Sequence, residues 1–232
     1  MADIRDVIDC LRYGIIVSCQ ALEHEPMFGS HHMAAMAAAS EQGGAVGIRA
    51  NTPADIAAIK ERCALPVMGI YKREYPDSGV FITPTFREAK QVADAGAELI
   101  AIDATPRRRP GGLTLRELVQ AIRDYNPRIG IVADVSTFEE GVKAMELGVD
   151  MVSTTLSGYT PDSTYQDGPD IRLVRELSAL GRIPIVAEGR IWTADDCRQC
   201  KEAGAYAIVI GTAITRPREI TGRFVRAMQG GA

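Results

Sequence analysis

Four glycines that end predicted helices recur along this chain at nearly equal intervals. Each precedes a short apolar segment, and the four, Gly43, Gly96, Gly148 and Gly204, are separated by 53, 52 and 56 residues. A strand with its crossover helix takes roughly 26 residues, because parallel strands cannot be joined by a short turn. Each interval therefore has room for two strand–helix units, and the four quarters predict eight.

The predicted strands are apolar runs without strict alternation, as expected for parallel strands buried on both faces. The even-numbered strands follow the glycines at residues 45–48, 98–102, 150–152 and 207–210. The odd-numbered strands are predicted between them at residues 14–17, 67–70, 129–133 and 185–187. Prolines shortly before the last three of these disfavour helix at that point.

Helix starts fall between the strands and support the alternation independently. Threonines stand at predicted N-cap positions, in some cases with an acid three residues later that completes a capping box. These starts are Thr52 with Pro53, Thr114 with Glu117, Thr137 with Glu140, and Thr193 with Asp196. Residues 3–11 predict one extra amphipathic helix, which we expect to close the lower end of a barrel.

This pattern predicts an α/β fold, a single (β/α)8 TIM barrel domain spanning residues 1–232 with an extra N-terminal helix. A doubly wound open sheet has the same alternation and is the structural alternative. The even spacing favours closure. The Gly43–Gly44 and Gly111–Gly112 pairs do not open a helix in the manner of a dinucleotide-binding loop.

Composition excludes several classes of partner. The net charge of −4 gives no broad attraction to nucleic acid or to an anionic membrane, so neither is expected as a partner. We expect no signal peptide or membrane span, and a cytoplasmic location, where the five scattered cysteines stay reduced. Cys197 and Cys200 have no second pair to complete a metal site, and His24, His31 and His32 lack an acidic partner cluster. No metal is predicted.

Polar side chains follow the predicted strands one after another. In a barrel of this kind the carboxyl ends of the strands face one mouth, where the active site lies. The side chains expected there are Gln20, Arg49, Lys72, Asp103, Asp134, Glu188 and Thr212. One polar residue after a strand is often only solvated surface, but seven convergent polar residues predict a site.

A phosphate site is predicted after the seventh and eighth strands, where barrels commonly bind phosphate through backbone N–H groups. Gly189, Gly211 and Thr212 fit that position, and Arg190 and Arg216 supply positive charge nearby. The alternative is that these are two ordinary strand-to-helix turns.

Five segments resemble the bacterial N-acetylmannosamine-6-phosphate 2-epimerase family across nearly the whole chain. They are residues 47–51 (GIRAN), 69–73 (GIYKR), 133–137 (ADVST), 187–191 (AEGRI) and 211–217 (GTAITRP). The resemblance implies a barrel of the ribulose-phosphate-binding type. It also implies interconversion of N-acetylmannosamine 6-phosphate and N-acetylglucosamine 6-phosphate in sialic acid catabolism, no redox cofactor, and a homodimer.

The resemblance also implies roles for individual residues. Lys72 matches the catalytic lysine that removes the C2 proton and returns one to the opposite face, and Glu188 matches its partner acid. The substrate-binding residues are Gln20, Arg49, Asp134, Gly158 and Arg190. Asp134 is expected to hold a hydroxyl or to orient Lys72.

Two expectations concern the surrounding charges. A lysine acts as a base near neutral pH only when burial or positive neighbours lower its pKa, and Arg49 and Arg73 are the expected neighbours of Lys72. The run Arg107 to Arg109 is expected to be solvated, with a lid over an anionic substrate as the alternative.

Two other functions fit the same residues. A Schiff-base lyase or synthase uses a barrel lysine as a nucleophile on a phosphosugar. A non-catalytic sensor keeps the sugar-phosphate site without turnover. The joint presence of Lys72, Glu188, Asp134 and Arg49 argues against the sensor.

Overall fold

The structure is a computed structural model that describes residues 3–230, so residues 1, 2, 231 and 232 of the predicted domain lie outside it. Eight parallel strands close into a barrel in chain order, with the first strand paired to the eighth. The predicted closed barrel is therefore confirmed over the open sheet. The strands are β1 Ile15–Cys19, β2 Gly47–Asn51, β3 Val67–Ile70, β4 Leu99–Asp103, β5 Gly130–Asp134, β6 Met151–Ser153, β7 Ile185–Glu188 and β8 Ala207–Ile210.

Helices surround the barrel. They are α1 Ile4–Cys10, α2 Ser30–Gln42, α3 Pro53–Lys60, α4 Phe86–Asp94, α5 Leu115–Tyr125, α6 Phe138–Glu146, α7 Ile171–Ser178, α8 Ala194–Glu202, α9 Thr212–Thr215 and α10 Pro217–Met228, with a short 3-10 turn at Pro110–Gly112. Of the helices between residues 3 and 230, none is long and apolar enough to cross a membrane.

The extra N-terminal helix closes the amino end of the barrel, as predicted. Val7 and Leu11 are buried in the same apolar cluster as the inward-facing strand residues. Glycines at the starts of two strands make room for this helix. A Cβ at Gly47 would lie 2.7 Å from the Leu11 side chain, and one at Gly130 would lie 2.6 Å from Ile4.

Helix starts and ends follow the predicted signals, with one correction. Thr114, Thr137 and Thr193 each form a capping box in which both reciprocal hydrogen bonds are present. The left-handed glycine after α2 is Gly44, with φ of +90°, whereas Gly43 is still right-handed with φ of −76°. The glycine predicted to end the first of the four helices is therefore wrong by one residue. The sequence did not distinguish Gly43 from Gly44, because either glycine permits the turn.

The alternation of side chains along the strands places apolar residues in the core and polar residues at the carboxyl end of the barrel. Successive residues in a strand point to opposite faces, so every second residue faces the barrel interior. Val132, Met151 and Val186 form part of the buried apolar layer inside the barrel. Two residues further along the same three strands, the inward-facing side chains are Asp134, Ser153 and Glu188. A polar layer thus lies directly above the apolar one.

Candidate active site

A cavity of about 760 Å³ opens at the carboxyl ends of the strands. It is lined by nine of the predicted site residues, namely Gln20, Arg49, Lys72, Glu188, Gly189, Arg190, Gly211, Thr212 and Arg216. Asp134 and Gly158 lie outside this lining. A second cleft of about 810 Å³ lies on the outer side, near α6 and α7, and includes none of the predicted site residues.

The floor of the cavity is a buried charged cluster built around Arg49. Its Nη2 lies 2.6 Å from Asp134 Oδ2, and its Nη1 lies 3.1 Å from Asp134 Oδ1 and 3.1 Å from Glu188 Oε2. Arg49 was expected directly after a strand at residues 45–48, but β2 spans Gly47–Asn51 and therefore includes it. Its guanidinium therefore reaches into the barrel.

Charge in this cluster favours one protonated carboxyl. Burial opposes the charge on Arg49, but Asp134 and Glu188 outweigh it, so the pKa of Arg49 is raised and it stays a cation. Burial raises the pKa of Glu188, and the nearby Asp134 raises it further, while Arg49 opposes the shift. Burial and the second carboxyl thus shift the pKa of Glu188 upward, toward the neutral form, against the effect of Arg49.

Asp134 contributes to the site through Arg49. The carboxylate is fully buried, and its side-chain partners are the Arg49 guanidinium and the hydroxyl of Thr155, whose Oγ1 lies 2.7 Å from Asp134 Oδ1. Those partners place it beneath the guanidinium, where it holds Arg49 rather than facing the cavity.

Two hydroxyl residues that the sequence analysis did not select hold Glu188. Thr155 Oγ1 lies 2.9 Å and Ser153 Oγ 3.2 Å from Glu188 Oε2. The neighbouring Thr154 donates its hydroxyl to the Glu188 carbonyl oxygen and accepts from the Glu188 backbone N–H. Serine and threonine are common in loops, so their presence after a strand gave no signal. Only the inward alternation of β6 distinguishes Ser153 from a loop residue.

Lys72 lies just beyond β3 at the edge of the cavity. Its backbone N–H donates to Asn51 Oδ1 over 2.9 Å, and an antiparallel bridge joins it to Ile82, which fixes the segment. Burial lowers the pKa of Lys72 to about 8, with further lowering by Arg49 and then Arg216, while Glu188 and Asp134 oppose the shift. The expected neighbour Arg49 is confirmed. The expected neighbour Arg73 is wrong, because that side chain is exposed and Arg216 acts instead.

Arg190 is held between the loops after β6 and β7. Its Nη1 donates to the Ser157 carbonyl over 2.6 Å, and its guanidinium carbon lies 5.0 Å from the ring centre of Tyr159 and 5.7 Å from that of Tyr165. Gly158 allows this approach, since a Cβ there would lie 2.9 Å from Arg190 Nη1. Arg190 therefore shapes the cavity wall as well as lining it.

The loops after β7 and β8 present backbone donors. Within residues 3–230, no backbone or side-chain group accepts a hydrogen bond from the N–H groups of Gly189, Arg190 or Gly211. Arg216 lines the same side of the cavity, and its Nη2 lies 3.5 Å from Glu25 Oε2. The arrangement suits an anion held by backbone N–H groups and one arginine.

Gln20 extends from the end of β1 toward the cavity. Its Nε2 donates to Ser18 Oγ over 2.7 Å, which fixes the orientation of the amide. Its buried Oε1 accepts no hydrogen bond from any residue between 3 and 230. An amide oxygen in this state suits a ligand hydroxyl or N–H group.

Other polar groups predicted for the site form structural contacts within the barrel. Asp103 is fully buried at the end of β4, where Arg107 Nη2 lies 2.6 Å from its carboxylate and the Arg109 side chain contacts its carbonyl. The expectation of a solvated arginine run is wrong for Arg107 and Arg109, because these two pair with a strand end; only Arg108 is exposed. Among residues 3–230, no group of three or more His, Cys, Asp or Glu side chains is placed to hold a metal ion.

The fold and cavity together define a (β/α)8-barrel protein equipped for acid–base chemistry on a small anionic substrate. The chain belongs to the family described as "Putative N-acetylmannosamine-6-phosphate epimerase", whose family model matches residues 33–230.

Individual relatives agree with this family. A protein of Caldanaerobacter subterraneus subsp. tengcongensis named "Putative N-acetylmannosamine-6-phosphate 2-epimerase" is 52% identical over 220 residues, covering 95% of this chain and 93% of the relative. An Enterobacter sp. protein of the same name is 46% identical and covers 97% of each chain. The solved N-acetylmannosamine-6-phosphate 2-epimerase from Clostridium perfringens superimposes with a TM-score of 0.92, at 46% identity over 95% of both chains.

Proposed function

We propose that this protein is an isomerase that interconverts N-acetylmannosamine 6-phosphate and N-acetylglucosamine 6-phosphate in sialic acid and amino-sugar catabolism. The observation that carries the proposal is the meeting of Lys72, whose pKa is lowered to about 8, with Glu188, whose pKa is raised by burial, in one cavity above Arg49. The pKa values of this base and this acid are therefore both shifted toward neutral pH, as a proton-transfer site requires. The names of the relatives support this substrate pair.

The chemistry requires an open-chain sugar. The hydrogen at C2 becomes acidic only when C1 is a free carbonyl, because the negative charge then moves to the carbonyl oxygen. Removal of the C2 proton breaks the C–H bond and leaves an enolate whose charge needs a preorganised partner. Return of a proton to the opposite face of C2 forms the other epimer.

Each charged group has a task in this scheme. Lys72 takes the proton from C2, and Glu188 gives its proton to the C1 oxygen as negative charge develops there. Arg49 keeps its positive charge, since Asp134 and Glu188 raise its pKa, and it supports the developing oxyanion. Its bidentate contact with Asp134 fixes the plane of the guanidinium.

We assign the substrate phosphate to the loops after β7 and β8. This side of the cavity is lined by Gly189, Arg190, Gly211, Thr212 and Arg216, which can offer backbone N–H groups, a hydroxyl and a cation to the phosphate. Gln20 and Arg190 then contact the sugar or its acyl group. Comparing N-acetylmannosamine with its 6-phosphate tests this assignment: at a pH well above the Lys72 midpoint of both proteins, Arg216→Gln should raise KM for the phosphate ester but not for the free sugar.

The reaction itself is tested by proton NMR in deuterated water with N-acetylmannosamine 6-phosphate. Wild type should place deuterium at C2 of both epimers, whereas Lys72→Ala and Glu188→Ala should lose this exchange. Lys60→Ala is the matched control, because Lys60 pairs with Glu98 outside the cavity. Absence of both exchange and product with wild type would remove the epimerase assignment; binding without exchange would indicate the sensor.

Borohydride trapping tests the lyase or synthase. Those enzymes join the lysine nitrogen to the substrate carbonyl carbon with loss of water, and borohydride reduces the resulting imine to a stable amine. A substrate-dependent mass increase on Lys72 would show that this lysine acts as a nucleophile. We expect no adduct, since proton transfer leaves no carbon–nitrogen bond.

We also propose that the whole chain is one domain that acts in the cytoplasm as a homodimer. The five cysteines are free, which suits a reducing compartment. α10 has no buried residue, and it exposes Phe224 and Met228 by 69% and 87%. Exposed apolar side chains of this size are typical of an interface. Sedimentation of wild type should give about twice the monomer mass, and Phe224→Glu should shift it to the monomer.

A further inference from the structure

A threonine between the two carboxyls of the site is not explained by the roles assigned above. Thr155 Oγ1 lies 2.7 Å from Asp134 Oδ1 and 2.9 Å from Glu188 Oε2. A hydroxyl has one proton, so it donates to only one carboxyl at a time. While it donates to one carboxyl, its contact with the other carries no hydrogen bond from Thr155.

The two oxygens of Glu188 are used differently. Oε2 takes the contacts with Arg49 Nη1 at 3.1 Å, Thr155 at 2.9 Å and Ser153 at 3.2 Å. Within residues 3–230, no hydrogen bond involves Oε1. Since Glu188 lines the cavity, Oε1 is the oxygen available to the substrate.

We propose that Thr155 is a positioning residue whose hydroxyl donates to Asp134 while Glu188 is protonated and turns to Glu188 when that acid has given up its proton. The inference rests on the proposed function, because loss of the Glu188 proton is the acid step of that reaction. In this step the O–H bond at Glu188 Oε1 breaks and a bond from the proton to the substrate oxygen forms. The electron pair stays on the carboxylate, and Thr155 keeps its own proton throughout.

When the hydroxyl turns, Asp134 loses less stabilisation than Glu188 gains. Asp134 retains both of its Arg49 contacts, at 2.6 and 3.1 Å, when Thr155 turns away. The new Glu188 carboxylate has only one Arg49 contact, so a second donor matters more there. Ser153 Oγ lies 2.8 Å from Thr155 Oγ1 and donates to it or to Glu188. The hydroxyl therefore stabilises ionised Glu188 more than it stabilises the resting state.

The charged groups around Glu188 also influence its pKa. Arg49 on β2 favours the ionised form, whereas Asp134 on β5 disfavours it. The pKa of Lys72, beyond β3, is lowered by burial and then by Arg49 and Arg216, and it is raised by Glu188 and Asp134. Replacing Thr155 leaves these charges in place. A change in the titration midpoint of Glu188 therefore measures the effect of the Thr155 hydroxyl.

Thr155→Val removes the hydroxyl at nearly constant volume, and Thr155→Ser restores it. Thr160→Val is the matched control, because Thr160 is a buried threonine of the same loop that contacts Ser136 and Ser163 instead. Glu188 is followed in the substrate-free protein by carbon-13 NMR of labelled glutamate side chains, assigned with Glu188→Gln. The pH dependence of kcat is measured in parallel.

Thr155→Val should move the Glu188 midpoint upward by about one pH unit, since hydrogen bonds to charged groups contribute more than those to neutral ones. It should lower kcat about tenfold with little change in KM. Thr155→Ser and Thr160→Val should both remain near wild type. An unchanged or lower midpoint in Thr155→Val, or a failure of Thr155→Ser to restore it, would overturn the proposal.

The two proposals fail in different ways. If wild type does not epimerise the sugar but the Glu188 midpoint shifts as described, the proposed function is wrong and the hydroxyl assignment holds. If wild type epimerises and the midpoint does not shift, Thr155 has only a packing role.

Discussion

Arg49 and Asp134 form a bidentate ion pair beneath the cavity, with N–O distances of 2.6 and 3.1 Å and side chains that are 1% and 0% exposed. Both charges are buried, so each depends on the other for its stability. Glu188 shares the same guanidinium at 3.1 Å. The pair therefore influences both the folding stability of the barrel and the protonation of the acid.

Asp134→Asn tests both influences. Removing one partner leaves the Arg49 charge buried, and we expect the free energy of unfolding to fall by about 3 kcal/mol in urea. The pKa of Glu188 should also fall, because Asp134 raises it and Arg49 would then pair with Glu188 alone. The limb of the kcat profile on which activity falls as Glu188 loses its proton should move to lower pH. Asp94→Asn, which breaks an exposed pair with Lys90, should change neither quantity.

The pH dependence of kcat/KM tests Lys72 as the base. Activity should rise with pH through about 8, the pKa at which burial, Arg49 and Arg216 leave Lys72. Arg216→Gln removes one of the cations that lower this pKa, so the midpoint should move to higher pH. Arg73→Gln is the control, since the exposed Arg73 does not contribute to the shift. Equal shifts in both variants would mean that the net charge of the protein, rather than the position of Arg216, determines the pKa of Lys72.

Much of the barrel was predictable because its signals are local. Thr137 and Glu140 cap the start of α6, and the left-handed Gly148 ends it, all within one helix length. Closure followed from counting such units, and the convergence of Lys72 and Glu188 followed from closure, because strand ends in a barrel share one mouth.

The remaining features depend on contacts between distant segments. Thr155 gains its importance only from its distances to Asp134 and Glu188, which lie 21 and 33 residues away along the chain. Arg216 was predicted for phosphate, but its effect on Lys72 depends on how the eighth strand closes against the first. Asp103 resembled a site residue by position, yet Arg107, four residues later, pairs with it. No periodicity encodes such pairings.

Lys72→Met should stabilise the fold at neutral pH. The folded-state pKa of about 8 lies below the ordinary value of 10.5, so the unfolded chain binds more protons between these values. Wild-type stability should therefore rise with pH from about 8 to 10.5, and the variant lacks this rise. At pH 7 the variant should be more stable by up to about 3 kcal/mol in urea unfolding. A constant difference from pH 7 to 10.5 would mean that Lys72 has an ordinary pKa in the folded protein.

Gly158→Ala should loosen Arg190 from its place in the cavity wall. Gly158 has a φ of +76°, and an added Cβ would lie 2.9 Å from Arg190 Nη1, so the variant meets both backbone strain and a contact that is too close. We expect a loss of about 1 kcal/mol in stability from the backbone alone. The displaced guanidinium should raise KM several-fold, while kcat changes less because Lys72 and Glu188 stay in place. Gly168→Ala is the matched control in the same loop. A Cβ there meets no atom within 4 Å, and the carbonyl that accepts from Arg190 Nε is kept. If both variants raise KM equally, general loop mobility rather than the position of Arg190 controls substrate binding.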